Sequence, residues 1–150
     1  MTKKLTWWFR VVGGFNVFLA VMNLAMFAVS RDTIANSLPY AKSTDVTDAF
    51  IDAWFTFVMD LAVMGVFLLW ASRRPRENVN LLWLVAALEL FHGIVGDLFL
   101  IARGYEAAGY LAFMVVHLAI IGSAVALARK ASAEPEEVVG VVTGQVLTPA

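Results

Sequence analysis

Four long apolar stretches divide this sequence, and each is long enough to cross a lipid bilayer. They cover about residues 7–29, 49–71, 80–102 and 110–128. A helix rises about 1.5 Å per residue, so roughly 20 apolar residues are needed for a hydrocarbon core of about 30 Å. Hydrophobic residues make up 61% of the chain and charged residues 15%, which leaves too little polar surface to cover a soluble globule. The sequence therefore predicts an all-α integral membrane protein with four transmembrane helices.

The connections between the stretches predict an up-down-up-down bundle. Two of them, "SRRPRENVN" and "RGYEAAG", are so short that they join antiparallel neighbours. The first connection, "RDTIANSLPYAKSTDVTD", is the longest, and we expect it to hold a short helix or to lie over the bundle mouth. Ser43, Thr44 and Asp45 at its end are suited to cap the second helix.

The basic residues predict the orientation of the bundle. One side carries Lys3, Lys4, Arg10, Arg73, Arg74, Arg76, Arg129 and Lys130, and the other carries Arg31, Lys42 and Arg103. Since cytoplasmic connections hold the excess of Lys and Arg, we expect both termini in the cytoplasm. The first stretch is longer than the apolar part of a typical signal peptide, so we expect it to stay as a span. Residues 1–130 are predicted to form the membrane domain and residues 131–150 a flexible, acidic cytoplasmic tail.

Composition excludes several functional classes. The net charge of −1 and the scattered basic residues give no surface for nucleic acid. The chain has no cysteine, which excludes disulfides, thiolate catalysis, iron–sulfur clusters and cysteine zinc sites.

The third stretch carries ionisable side chains inside its apolar run. At 100° per residue, Glu89, His92, Gly93, Gly96 and Asp97 share one broad face of a helix. A charge inside the bilayer costs several kcal/mol when it faces lipid, and glycines permit close helix contact or leave room for a ligand. We therefore expect this face to point into the bundle.

The other stretches can complete a polar centre around that face. In the second span Asp48, Asp52, Thr56 and Asp60 recur every four residues, and in the first Gly13, Asn16, Ala20 and Asn23 form a stripe of small and amide side chains. Counting residues inward places Asp60, Glu89 and His92 about 15–20 Å deep and His117 of the fourth span about 10 Å deep. Asp48 and Asp52 are also suited to a solvated helix start, and the two asparagines to interhelical hydrogen bonds.

These side chains permit three kinds of chemistry. Glu89 and His92 form a Glu-x-x-His pair, but a di-iron site needs a second such pair, and carboxylates argue against a haem held by His92 and His117, so we predict no metal and no cofactor. A carboxyl group and an imidazole in a dry pocket could protonate a double bond and remove a proton elsewhere, giving isomerisation or cyclisation of a lipophilic molecule. The acidic stripe could also serve transport of protons or small solutes.

The predicted site therefore has two groups of residues. The catalytic candidates are Asp60, Glu89 and His92. The ligand-binding candidates are Asn16, Asn23, Thr56, Gly93, Gly96, Asp97 and His117. Aromatic side chains that could line the pocket are Trp54, Phe57, Trp83, Phe91, Phe99 and Phe113.

The chain resembles the BphX-like family of small bacterial four-span membrane proteins. The resemblance rests on "LTWWFRVVGGF", on "VMNL" in the first span and on "ELFHGIVGDLFLIARGY" in the third, and it covers roughly residues 4–128. It implies a bacterial inner-membrane protein associated with hydrophobic aromatic or steroid-like compounds, and it supplies no catalytic residues. A looser similarity of layout links the chain to the EXPERA-type sterol isomerases, which also bury Glu, Asp and His within four spans.

Two functional hypotheses follow from these observations. In the first, the bundle holds a pocket for a hydrophobic small molecule, which it binds or isomerises. In the second, the protein is a non-catalytic accessory subunit whose buried charges satisfy one another and which docks a larger membrane enzyme or transporter. Membrane lipids are expected partners in both cases, and a homo-oligomer or a larger membrane complex is compatible with either.

Overall fold

The computed structural model describes residues 1–40 and 43–133, and within them it contains helices and no strand. The helices are α1 (Thr2–Val29), α2 (Arg31–Ser37), α3 (Thr44–Ala71), α4 (Asn80–Leu88), a π-helical segment (Glu89–Val95), α5 (Gly96–Ala102) and α6 (Ala107–Ala133). The helices α4 and α5 and the π-helical segment between them form one continuous third span, Asn80–Ala102. This span, α1, α3 and α6 are long and apolar enough to cross a membrane, so the prediction of an all-α four-span protein is confirmed.

The helices extend beyond the predicted bounds at several ends. The helix α3 begins at Thr44 and α6 at Ala107, both earlier than expected from hydropathy, because a helix continues into the polar residues that flank its apolar run. Of the predicted tail, residues 131–133 complete α6, and the rest lies outside the described residues. The orientation of the termini relative to the cytoplasm stays a prediction.

The four spans pair as two antiparallel hairpins, one formed by α1 and α3 and the other by the third span and α6. In the first hairpin the backbones touch where Gly13 meets Gly65. A Cβ atom on Gly13 would lie 2.9 Å from the carbonyl oxygen of Gly65, and one on Gly65 would lie 2.8 Å from that of Gly13. These two glycines therefore permit the close approach of α1 and α3.

The apolar core lies at one end of the bundle, where Lys3, Lys4, Arg73 and Lys130 are found. We call this the basic end, and the opposite end, with α2, the loop end. The core contains residues of all four spans: Leu5, Trp8, Phe9, Val12, Leu68, Ala71, Leu82, Val85, Ala86, Ile120, Ala124 and Ala128. The indole Nε1 of Trp8 also donates a 2.9 Å hydrogen bond to Oγ of Ser123, which joins the two hairpins. The hairpins are therefore held together chiefly near the basic end.

At the loop end, local capping residues start and stop the helices. The hydroxyl of Ser43 accepts a 3.2 Å hydrogen bond from the amide of Val46, so the predicted cap of the second span is confirmed. The short helix expected in the first connection is α2. Gly104, with φ of 90°, turns the chain after the third span, and the Glu106 carboxylate accepts hydrogen bonds from the first amides of α6.

Three tyrosines pack against one another at the same end. The ring of Tyr105 lies edge-on to the rings of Tyr40 and Tyr110, with centroids 6.2 and 6.1 Å away. Burial, and then the neighbouring Tyr40, raise the pKa of the Tyr105 phenol above its ordinary value of 10.0. The phenol therefore stays neutral at physiological pH, and the contact ties the first connection to the loop between the third span and α6.

Candidate functional site

A cavity of about 770 Å³ lies between the two hairpins, beyond the core toward the loop end. All four spans contribute to its wall. The apolar lining consists of Phe15, Leu19, Met22, Trp54, Phe57, Leu61, Val63, Met64, Val85, Leu88, Phe91, Phe99, Leu100 and Phe113, and the polar lining of Asn16, Asn23, Asp60, Glu89, His92, Asp97, Tyr110 and His117 together with Gly93 and Gly96. The wall is thus mainly apolar, with polar groups from every span.

The third span does not remain α-helical along this wall. Residues Glu89–Val95 form a π-helical segment, so the expectation of a regular helix with 100° per residue is wrong over this stretch. Backbone hydrogen bonds in such a segment run between residues five apart, and each turn holds more residues than an α-helical turn. The helix faces predicted at 100° per residue for the residues around Glu89 therefore do not apply to this segment. Segments of this kind are rare and are frequently found at functional sites.

The imidazole of His117 lies between two carboxyl groups of the third span. Its Nδ1 is 2.5 Å from Oε2 of Glu89, and its Nε2 is 3.6 Å from Oδ2 of Asp97. All three side chains are largely buried, with relative exposures of 19%, 14% and 12% for His117, Glu89 and Asp97. The short contact to Glu89 fits a charge-assisted hydrogen bond. The structure thus makes His117 the centre of a Glu89–His117–Asp97 triad.

Counting residues along straight helices predicts that His117 lies several ångströms less deep in the membrane than Glu89. The direct contact between their side chains shows that this prediction is wrong. Two features account for the difference. The helix α6 begins at Ala107, before the predicted 110, which moves His117 further from the start of its helix. The π-helical segment is also shorter along the helix axis than an α-helix with the same number of residues, so Glu89 lies less deep than counting predicts.

Gly93 has a more specific role than leaving room for a ligand. A Cβ atom at this position would lie 2.5 Å from Cγ and 2.6 Å from Nδ1 of His117. The imidazole therefore packs flat against the backbone of the third span, which only a glycine permits. Gly96 differs, because a Cβ atom there would meet only the carbonyl oxygen of Phe91 at 3.8 Å.

Asp60 and His92 line the cavity without belonging to the triad. Both side chains are exposed, and no residue among 1–40 and 43–133 forms a hydrogen bond or ion pair with either of them. The ring of His92 lies edge-on to Phe57, with centroids 6.2 Å apart. An acid and an imidazole are thus open to whatever enters the cavity, whereas Glu89 and His117 are engaged with each other.

The two asparagines of α1 are hydrogen-bonded within the first hairpin. The amide nitrogens of Asn16 and Asn23 donate to the carbonyl oxygens of Val12 and Leu19, one turn earlier, at 2.9 and 2.8 Å. The amide oxygen of Asn23 also accepts a 3.2 Å hydrogen bond from Nε1 of Trp54. This interhelical bond fixes the indole of Trp54 at the cavity wall.

Some sequence-predicted residues lie away from the cavity. The structure places Thr56 on an exposed part of α3 and not in the cavity wall. Asp52 is also exposed, and Asp48 forms an ion pair with Arg31, as suits the start of a helix. Among the six aromatic candidates, Trp83 is exposed outside the cavity, whereas the other five line it.

Other lining residues had no signal in the sequence. Phe15, Leu19, Met22 and Tyr110 are apolar or aromatic residues in a chain where such residues dominate, so nothing distinguishes them from lipid-facing neighbours.

The arrangement can bind an apolar molecule and can hold or transfer a proton. An imidazole between two carboxyl groups can accept a proton on one side and release one on the other. In the described residues no group of three or more His, Cys, Asp or Glu side chains is arranged to hold a metal ion. The cavity wall itself offers hydrogen bonding, ion pairing and proton transfer.

Comparison with known protein families identifies a match that spans the membrane domain. A family model described as BphX-like matches residues 2–133, which covers all four spans and both of the hairpins. Neither a curated protein nor a solved structure matches the chain.

Proposed function

The chain belongs to the BphX-like family and is a multi-pass membrane protein, and we propose that it binds a hydrophobic small molecule in the cavity between its hairpins. The observation that carries this proposal is the cavity itself. Its volume of about 770 Å³ is in the range of small-molecule sites, and three carboxyl groups and two imidazoles line its wall. Intramembrane ionisable residues are costly and usually mark a functional site.

The cavity wall contains both paired and unpaired ionisable side chains, and this also supports binding of a small molecule. In a purely structural lock, every buried charge would be matched by another side chain. Glu89 and His117 fit that description, but Asp60 and His92 have exposed side chains that no described residue pairs with. A bound molecule with a polar group would supply the missing contacts.

The same side chains suit acid–base isomerisation or cyclisation as the reaction of the site. One of the open groups, Asp60 or His92, would deliver a proton to a carbon of a double bond, and the other would accept a proton from a neighbouring carbon. The double bond moves and no atom is gained or lost overall. Return of the proton from the accepting group to the donating group would then restore the site for the next turnover.

The outer surface of the spans bears on the accessory-subunit hypothesis. Large apolar side chains are exposed on all four spans, as lipid contact requires. Docking to a larger membrane enzyme or transporter stays the alternative prediction.

Photolabelling with a neutral phenyl diazirine in nanodiscs tests the binding proposal. We expect adducts on cavity residues such as Asp60 and His92 as well as on the lipid-facing surface. Gly96→Phe would fill space at the cavity wall and should suppress the cavity adducts. The matched control is Gly122→Phe, because Gly122 is also helical, has open space around it and lies outside the cavity.

Labelling of lipid-facing residues provides an internal standard in each variant. Cavity adducts that remain equally strong in Gly96→Phe and Gly122→Phe would contradict the proposal, because they would show access from lipid without a defined pocket.

A further inference from the structure

The charges of the cavity wall are unbalanced. Among the described residues, the wall contains three carboxyl groups, those of Asp60, Glu89 and Asp97, two imidazoles, those of His92 and His117, and no lysine or arginine. If all three carboxyl groups are ionised, one of them has no positive partner among these residues even with both imidazoles protonated. In a medium of low dielectric constant such an imbalance is costly, and it is relieved by protonation of a carboxyl group or by a ligand of opposite charge.

Asp97 is one source of this imbalance. The residue is 8% exposed, and its Oδ2 is buried without a hydrogen-bond partner among the described residues. Nε2 of His117 lies 3.6 Å away, beyond hydrogen-bonding distance, and the other nitrogen of that ring is engaged by Glu89. Asp97 therefore holds a buried carboxyl oxygen at the cavity wall that its own surroundings leave without a hydrogen-bond partner.

Asp60 is the second source, and it is accessible. Its side chain lines the cavity and is exposed, with no ion pair or hydrogen bond to any residue in 1–40 and 43–133. A carboxylate at this depth of a membrane span normally faces a partner. A positively charged group on a ligand would provide one.

Aromatic rings surround the same space. Trp54 and Phe57 on α3 have ring centroids 4.9 Å apart, and Phe57 lies one turn before Asp60. Phe91, Phe99 and Phe113 line the cavity from the opposite hairpin. The faces of such rings attract cations, most strongly when water is excluded. An apolar wall with aromatic faces and one open carboxylate suits a molecule with a large hydrophobic body and a positive charge.

We infer that the ligand of this cavity is a lipophilic organic cation, such as a hydrophobic amine or quaternary ammonium compound, with Asp60 as its counter-ion. This inference rests on the proposed function, since it specifies the class of molecule that the cavity takes. The aromatic rings of α3 and the unpartnered carboxyl oxygen of Asp97 add to the selection for positive charge.

The test compares tetraphenylphosphonium with tetraphenylborate, two ions of nearly the same shape and opposite charge. Binding of each ion to the protein in phosphatidylcholine nanodiscs is measured by equilibrium dialysis, and empty nanodiscs give the background. We expect saturable binding of tetraphenylphosphonium and none of tetraphenylborate. Asp60→Asn should weaken the binding of the cation by about tenfold or more, because the ion pair is lost in a partly desolvated site.

Two further variants control for folding and for charge elsewhere on α3. Asp60→Glu keeps the carboxylate and should retain binding of the cation. Asp52→Asn removes a carboxylate from an exposed position outside the cavity and should bind like wild type. Loss of binding in Asp60→Glu together with unchanged binding in Asp60→Asn would overturn the role of Asp60.

The outcomes separate this inference from the proposed function. Equal saturable binding of both ions, unaffected by Asp60→Asn, would overturn selection for cations and leave a hydrophobic pocket. Absence of saturable binding of either ion would also overturn it, while diazirine adducts sensitive to Gly96→Phe would preserve the pocket. If those adducts are insensitive as well, the proposed function fails and this inference fails with it.

Discussion

At the scale of single residues, the site depends on one imidazole placed by one glycine. His117 lies against the backbone at Gly93, and in that position its two nitrogens face Glu89 and Asp97. Two of the three side chains come from the third span and His117 comes from α6, and each is largely buried. A substitution of one member therefore also changes the interactions of the other two.

Substitutions of Glu89 test how the triad contributes to stability. Glutamine can still exchange a hydrogen bond with Nδ1 of His117, so Glu89→Gln loses only the charge assistance and should lower the free energy of unfolding by about 1 kcal/mol. Leucine leaves the imidazole without a partner, so Glu89→Leu should lower it by about 3 kcal/mol. Unfolding in detergent micelles measures both values.

Glu77→Gln provides the control for this comparison, because Glu77 is an exposed residue that pairs with Arg74 at the basic end. It should unfold like wild type. Equal losses in Glu89→Gln and Glu89→Leu would show that charge, and not hydrogen bonding, is what Glu89 contributes.

At the scale of helices, two departures from regular packing shape the molecule. The π-helical segment Glu89–Val95 changes which side chains of the third span face α6, and the contact of Gly13 with Gly65 brings α1 and α3 into backbone contact. The first departure positions the triad. The second makes the α1–α3 hairpin a tightly packed unit that forms one wall of the cavity.

Alanine at Gly65 tests that packing. The added Cβ atom would lie 2.8 Å from both the carbonyl oxygen of Gly13 and the amide nitrogen of Val17, which are backbone atoms that cannot turn aside. Gly65→Ala should therefore force α1 and α3 apart and lower the free energy of unfolding by about 1–3 kcal/mol.

The control is Gly14→Ala, since Gly14 is also in a helix but has open space where a Cβ atom would be. Because alanine favours the helix over glycine, this variant should be as stable as wild type or more so. Thermal unfolding in detergent compares the two, and a Gly65→Ala protein as stable as Gly14→Ala would show that the helices do not depend on this contact.

At the scale of the whole molecule, the two hairpins are joined at the basic end and separated by the cavity toward the loop end. The core residues of all four spans lie at the basic end, with the hydrogen bond from Trp8 to Ser123. At the loop end the hairpins meet through Tyr40 and Tyr105. A ligand between the hairpins would thus lie in a space supported from both ends.

The orientation of the bundle decides from which side of the membrane each end is reached. The chain contains no cysteine, so single cysteines can be introduced at exposed positions, one at Asp45 near the loop end and one at Arg73 at the basic end. From the distribution of lysine and arginine we expect Arg73→Cys to react with impermeant maleimide from the cytoplasm and Asp45→Cys from the opposite side. Reaction of Asp45→Cys from the cytoplasm would reverse the predicted topology.

Hydropathy and loop length determined the four spans and the order of the hairpins, and residue type limited the cap of the second span to Ser43, Thr44 and Asp45, of which Ser43 is the one observed. These features depend on contacts between residues close in the sequence. The same local signals indicated which polar residues to consider, since a charge within an apolar run is visible without a structure. They placed Glu89, His92 and Asp97 on one span and His117 on another.

Only the tertiary structure decided which of these residues meet. The pairing of His117 with Glu89, its proximity to Asp97 and the separation of Asp60 and His92 from that triad depend on the π-helical segment and on the packing of His117 against Gly93. A sequence pattern can only assume a regular helix of 100° per residue. Such a helix does not include the π-helical segment. The lining by Phe15, Leu19 and Met22 likewise follows from how far the hairpins separate, because apolar residues facing a cavity and apolar residues facing lipid have the same composition.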